Sequence, residues 1–180
     1  MKRIAIDMDE VLADFSKKCL EAMNAFVGTS FTKEDLRVKT IDELYESYPD
    51  ELHEVLHSAE FFSDLEVIPH SQRIVRELND HFQIVIATAA MEVPTSFDAK
   101  YKWLREHFPF LDPQYFIFCG DKNVVHADYL IDDNIKQLNS FTGQGILFTA
   151  PRNESIDYEV RADNWKEVHA FFLTEQVKSY

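Results

Sequence analysis

Cysteine is almost missing from this chain of 180 residues. Cys19 and Cys119 stand far apart and form no C-x-x-C pair, which fits a reducing cytoplasm and two buried structural thiols. Glycine is equally scarce, at 4 residues, and no repeat or low-complexity run occurs, so the chain reads as one compact body. No stretch approaches 18 consecutive apolar residues, which argues against a membrane span. The N-terminus shows no charged segment leading into an apolar one, as a signal peptide would, so a cytoplasmic location is expected. Positive charge is the other shortage. Eighteen Lys and Arg face 32 Asp and Glu, a net charge of −14. Nucleic-acid polymers select basic faces, so such a partner is not expected. A small phosphate ester stays open, because one metal ion and one Lys can reverse the sign locally. The acidic excess is otherwise a solvating surface.

What is present begins with a core. Apolar residues make up 46% of the chain and aromatics 13%, enough for one domain with an insertion. Apolar runs at Arg3–Asp7, Phe82–Thr88, Tyr115–Cys119, Tyr129–Ile131 and Gly145–Phe148 read as buried strands. Between them, Asp14–Phe26, Ser71–His81, Phe97–Phe108 and Asn164–Leu173 carry helical spacing. Strand and helix in alternation predict an α/β fold with a parallel sheet flanked by helices. The charge-rich segment 28–60, with helix starts at Thr32-Lys33-Glu34-Asp35 and Pro49-Asp50-Glu51, interrupts that rhythm. It predicts a small helical cap inserted after the first strand, with residues 1–17 and 69–180 as core and 18–68 as cap.

Chemistry collects where strands end. Asp7-Met8-Asp9 closes the first strand, Thr88 the second, Lys122 follows the third, and Asp132-Asp133 closes the fourth. In an open parallel sheet these ends converge on one edge. Phosphoryl transfer needs a nucleophile, an acid/base, a cation for the phosphate, a hydroxyl for its oxygen and a Lys to offset charge. A lone D-x-D is weak; D-x-D, Thr, Lys and D-D in order are specific.

These motifs resemble those of the haloacid dehalogenase (HAD) superfamily, and more closely the 5'(3')-deoxyribonucleotidases. The similar stretches are Asp7-Met8-Asp9-Glu10-Val11-Leu12-Ala13-Asp14-Phe15, Phe61-Phe62-x-Asp64-Leu65-Glu66-x-Ile68-Pro69 and Lys100-Tyr101-x-Trp103. Asp121-Lys122-x-Val124-Val125, Asp128-Tyr129-Leu130-Ile131-Asp132-Asp133-Asn134 and Leu147-Phe148-Thr149-Ala150 continue the match. The resemblance implies a Rossmann-like core and a Mg²⁺-dependent phosphomonoesterase acting on nucleoside monophosphates. It makes Asp7 the nucleophile that forms an aspartyl-phosphate, and Asp9 the acid/base. Mg²⁺ falls to Asp7, the backbone carbonyl of Asp9 and Asp133, with Asp132 as a neighbouring support. Thr88 and the N–H of Ala89 would hold phosphate oxygens, Lys122 would neutralise charge, and Phe15 would line the nucleotide pocket beside Phe61-Phe62. The vertebrate members' aromatic pair that sandwiches the base has no counterpart around Arg37–Ile41, and Gly120 and Ala89 replace an Arg and a Ser. A broad-range or sugar-phosphate phosphatase is therefore the alternative, and a catalytically silent sensor a more distant one. Oligomeric state is left open.

One rival motif remains. His53-Glu54-Val55-Leu56-His57 matches the zinc-hydrolase pattern H-E-x-x-H, with Glu77 as a conceivable third ligand. No companion motif supports it, and a solvated amphipathic cap helix is the simpler reading.

Overall fold

The computed structural model describes residues 1–58 and 60–177. Its strands are β1 (Arg3–Ile6), β2 (Gln83–Thr88), β3 (Phe116–Phe118), β4 (Tyr129–Asp132), β5 (Gln144–Phe148) and β6 (Arg161–Ala162). They form one sheet of parallel neighbours in the order β3-β2-β1-β4-β5-β6. Five strands match the sequence expectation. β6 does not, because two residues are too short to show a period.

The sheet is buried on both faces, which is why its strands read as unbroken apolar runs. Successive side chains alternate between faces. Ile4, Ile6, Ile84, Ile86, Ile131, Ile146 and Phe148 enter the larger core. Ala5, Val85, Ala87, Leu130 and Leu147 enter the smaller one. Each fully buried Ile or Leu contributes about 1.5–3 kcal/mol relative to exposure. A one-residue slip of β1 would exchange its Ile and Ala positions between two filled cores, so the register is strongly fixed.

The helices are α1 (Phe15–Val27), α2 (Ile41–Leu44), α3 (Pro49–His57), α4 (Ser71–Asn79), α5 (Phe97–His107), α6 (Ile135–Ser140) and α7 (Trp165–Val177). α4 packs against β2 and α7 on the larger core, and α6 covers β4 and β5 on the other face. Asp14 caps α1 by accepting from the Lys17 N–H, and Gly28 ends it at a φ of 73°, the left-handed conformation that glycine adopts freely. α1 runs unbroken through residue 18, so the chain passes from β1 toward α2 and α3 on a single rigid element.

The helix start expected at Thr32 is instead one 3₁₀ turn, Asp35–Arg37. The Asp35 carboxylate accepts from both the N–H and the hydroxyl of Thr32, closing a local turn. The regular helix begins later, where Thr40 and Glu43 form a capping box for α2. Pro49 at the first turn of α3 fits its expected start.

The returning segment is sewn to the loop after β1. The Asp14 N–H donates to the Glu66 carbonyl and the Ile68 N–H to the Leu12 carbonyl, both at 2.8 Å. Two buried indoles finish the seam: Trp103 Nε1 donates to Leu65 O and Trp165 Nε1 to Val11 O, also at 2.8 Å. Both cysteines are free; Cys19 is buried, whereas Cys119 is only half-buried, at the strand end beside Thr88. No helix among the described residues is long and apolar enough to cross a membrane.

Candidate active site at the carboxyl ends of the strands

The connections from β1 run to β2 and β3, then return to β4 on the opposite flank of β1. A crevice forms at the carboxyl ends where the winding reverses, here between β1 and β4. Asp7 follows β1 directly, and its N–H donates to Ile131 O at 3.0 Å. That bond carries the pairing one residue past the strand and sets Asp7 beside Asp132, the last residue of β4. On the other flank of β1, Ile86 pairs with Ile6, which brings Thr88 to the same edge.

Lys122 enters from the turn after β3. Its Nζ lies 2.5 Å from Asp132 Oδ2 and 2.7 Å from Asp7 Oδ1. The lysine is 1% exposed. Its N–H donates to the Gln137 side chain, whose amide in turn donates to Gly120 O, so the turn is fixed from α6. Asp132 is saturated, since its Oδ1 accepts the Asn134 N–H.

Two further cations complete the site, and neither was singled out from the sequence. Lys100, on α5, donates to Asp9 Oδ2 at 2.5 Å and to Thr88 Oγ1 at 3.1 Å, and stands 4.7 Å above the Phe62 ring. The only sequence signal was its place in the Lys100-Tyr101-x-Trp103 stretch. Arg152 clamps Asp133 Oδ2 with Nε at 2.8 Å and Nη2 at 2.7 Å. Asn153 braces that contact by donating to the carbonyls of Asp133 and Phe148. Glu10 was also missed. It is buried at a φ of 63°, a conformation costing a non-glycine residue about 1–2 kcal/mol. Its carboxylate offsets that strain by accepting the Ser16 N–H at the start of α1.

The carboxylates are under electrostatic load. Burial pushes Asp7 up to about 7, against the opposing pull of Lys122. Burial also pushes Asp133 to about 7, against Arg152, and raises Asp132 and Glu10. For Lys122 burial pulls downward, but Asp7 and Asp132 outweigh it and raise the ammonium's pKa. Asp7 Oδ1 touches Lys122 outside hydrogen-bond geometry and has no hydrogen-bond donor among the described residues. Asp9 Oδ1 is likewise buried without one. Asp7, Asp132 and Asp133 offer oxygens within 4.8 Å of one another, the one such metal-competent group among the described residues. Hard, crowded oxygens, with Asp7 Oδ1 short of a hydrogen-bond donor, fit a small divalent cation.

Above these groups lies a cavity of about 610 Å³. Its floor includes Asp7, Asp9, Lys100, Lys122, Asp133 and Arg152, with Ala89 at the end of β2. Phe15 and Phe62 line it, with ring centres 6.1 Å apart. Phe61 does not; it packs edge-on behind both. The far wall comes from the inserted segment and includes Lys39, Asp42, Glu46, His53 and His57. The zinc-hydrolase reading loses its third ligand, because Glu77 on α4 is engaged by Arg73 and His169.

The sequence model of the family described as 5' nucleotidase, deoxy (pyrimidine), cytosolic type C protein matches residues 1–178. A Staphylococcus aureus protein provisionally named a 5'(3')-deoxyribonucleotidase is 49% identical over 172 residues, covering 96% of each chain. The 5'(3')-deoxyribonucleotidase of Bacillus subtilis is 36% identical over 172 residues, covering 96% of this chain and 99% of its own. Among solved structures, a haloacid dehalogenase-like hydrolase from Streptococcus pneumoniae superposes with a TM-score of 0.65 at 15% identity, covering 96% of this chain and 98% of its own. At that identity the likeness establishes the Rossmann-type HAD fold.

Proposed function

Since the chain belongs to the 5' nucleotidase, deoxy (pyrimidine), cytosolic type C family, we propose that it is a Mg²⁺-dependent phosphoric monoester hydrolase acting on 5'(3')-deoxyribonucleotides. The observation that carries this reading is the meeting of Asp7, Asp9, Lys100 and Lys122 in the lining of one cavity, with the buried Thr88 hydroxyl accepting from Lys100 beside them.

Asp7 is the nucleophile: a carboxylate oxygen bonds to phosphorus while the ester P–O bond breaks. Asp9 gives its proton to the departing oxygen. It then takes a proton from a water molecule, whose oxygen bonds to phosphorus and releases phosphate, restoring Asp7. Lys100 bridges Asp9 and Thr88, so it stands where a phosphate oxygen held by the Thr88 hydroxyl would meet it. Drawing Lys100 to the phosphate frees Asp9 to carry its proton. The Ala89 N–H holds a second phosphate oxygen. Lys122 opposes the effect of burial on Asp7 and so favours its ionised, nucleophilic form.

Asp7 and Asp133, with the backbone carbonyl of Asp9, would hold Mg²⁺. The commitment of both Asp132 oxygens, to Lys122 and to Asn134, supports Asp133 over Asp132 as the direct ligand. The bound cation would offset charge developing on the transferring phosphoryl group. Residues 18–68 serve as the cap that closes over the substrate and excludes water.

The test is Asp7→Asn with Mg²⁺ and a deoxynucleotide. Hydrolysis should fall at least about 10³-fold, as for loss of a nucleophile elsewhere. Undiminished turnover would sink the assignment. The charged cap wall, without an aromatic pair, keeps a broad-range or sugar-phosphate phosphatase as the second reading. A panel of deoxynucleotides and sugar phosphates separates the two, and equal kcat/KM across it rejects the narrower claim.

A further inference from the structure

The H-E-x-x-H segment found no place in the hydrolytic chemistry, yet it forms a wall of the cavity. Pro49, Leu52, His53, Leu56 and His57 all line that space. Their spacing is one stripe of α3, so the helix turns a single face to the substrate space. An inward stripe is ordinarily apolar throughout. Here two imidazoles interrupt it. Their ring centres are 3.8 Å apart at an interplanar angle of 27°, a face-to-face stack.

The stack has an anchored member and an open one. His57 is half-buried, and its Nδ1 lies 3.0 Å from the backbone carbonyl of His53. A carbonyl only accepts, so Nδ1 donates and the ring is tied to its own helix. His53 is exposed and lies against that fixed ring. Among the described residues, no hydrogen bond or ion pair engages its nitrogens and no second ring covers it. The face of His53 turned away from His57 is therefore an aromatic surface without a partner, on a residue that lines the cavity.

We propose that His53, backed by His57, is the platform on which the heterocyclic base of the substrate stacks. This deepens the nucleotidase reading and rests on it. A phosphate held on the floor directs the rest of its molecule across the cavity, toward the α3 wall. The cavity, about 610 Å³ in volume, falls within the roughly 300–1,000 Å³ of small-ligand sites. The chemistry of the wall selects what arrives there. Lys39 stands against Asp42 and Glu46, so a second phosphate would meet net negative charge, whereas an uncharged ring would not. No phenylalanine or tryptophan stands on that wall, but an imidazole is also a flat aromatic ring. A sugar phosphate without a base has no flat face to offer it. Every base has one, so the platform favours nucleotides over sugar phosphates without choosing among bases.

The experiment compares hydrolysis of thymidine 5'-monophosphate with that of 2-deoxyribose 5-phosphate, which keeps the sugar and phosphate but lacks the base. His53→Ala should lower the ratio of the two kcat/KM values by at least about 5-fold, through KM for the nucleotide, because one base–aromatic stack is lost. His53→Phe restores a flat ring and should recover most of that ratio. In wild type, the ring-proton NMR signals of His53 and His57, assigned by their loss in the alanine variants, should shift when thymidine is added. Tryptophan emission from buried Trp103 and Trp165 checks that each variant is folded. An unchanged ratio in His53→Ala, the result that a merely structural role for the helix would give, would overturn the proposal. So would a phenylalanine variant no better than the alanine one, or ring signals that thymidine leaves unmoved. Thymidine carries no phosphate, so the NMR result does not depend on turnover. Absence of hydrolysis would count against the phosphatase reading, while the ring signals would still decide this one.

Discussion

Lys122→Met isolates the charge balance under Asp7. Methionine keeps most of the stem's packing and removes only the ammonium. Asp7 is 6% exposed and Asp132 is fully buried, so water screens neither carboxylate once the lysine is gone. Losing one partner of a buried ion pair costs about 3–5 kcal/mol, a large share of a domain's 5–15. Two carboxylates share this partner, which places the expected cost at the upper end of that range when both are ionised. The penalty must then depend on pH. In wild type Asp7 titrates at about 7. Without Lys122 its pKa moves higher, so the folded variant holds a proton over a window in which wild type has released it. Below that window both proteins carry the proton and the difference is smallest. The loss should therefore be larger at about pH 9 than at about pH 6, by up to roughly 1.4 kcal/mol for each unit of upward shift. Urea unfolding in the absence of metal, followed by the emission of Trp103 and Trp165, measures it. A loss below about 1 kcal/mol at pH 9, or the same loss at both pH values, would refute the assignment of Lys122 as the counter-charge of this buried pair.

Other substitutions probe the remaining contacts. Arg152→Ala frees Asp133 Oδ2, so Mg²⁺ affinity measured by calorimetry should rise about 10-fold while KM for the phosphate ester rises as well; weaker Mg²⁺ binding would show that the arginine positions Asp133 for the cation. Glu10→Gly relieves the left-handed strain but releases the Ser16 N–H, and the two effects of about 1–2 kcal/mol each should nearly cancel in a denaturant midpoint. A fall beyond about 3 kcal/mol would mean that the carboxylate holds more than the helix start. Without metal, wild-type stability should decline between about pH 4 and pH 7, because folded Asp7 and Asp133 keep protons that the unfolded chain has released. Mg²⁺ should erase that decline, and a stability that instead rises across this window would contradict the raised values. Gly143→Ala places a Cβ 2.5 Å from the Asp128 carbonyl, so a loss of about 1–3 kcal/mol is expected, and a neutral result would show that the loop before β5 yields freely.

How legible the chain was depends on how local each signal is. Asp7, Thr88 and Asp132 were readable because a polar residue at the end of a doubly buried strand breaks an otherwise apolar run. The sheet then brings those ends together by topology alone. Lys100 and Arg152 carry no such mark. Lys100 lies within α5, where a lysine ordinarily points to water; here it is buried, and its partners Asp9 and Thr88 come from distant parts of the sequence. Arg152 sits in a turn fixed by Arg161 and Asn153, contacts with no sequence period. In the inserted segment short polar turns compete with helix, so Thr32 closed a turn where a helix start was expected and Thr40 capped the helix instead.

The charges of the floor explain why these late-arriving residues matter. Asp7, Asp9, Glu10, Asp132 and Asp133 bring five carboxylates together, and Lys100, Lys122 and Arg152 bring three cations. Each cation is spent on a named carboxylate, and among the described residues no hydrogen-bond donor reaches the buried Asp7 Oδ1 and Asp9 Oδ1. Desolvated charge of one sign is costly, which is what the upward shifts of Asp7 and Asp133 express. A divalent cation would relieve that excess, and a phosphate would then find two lysines and an arginine close enough to exchange partners. An acidic chain can in this way hold one small dianion while its surface repels a polyanion.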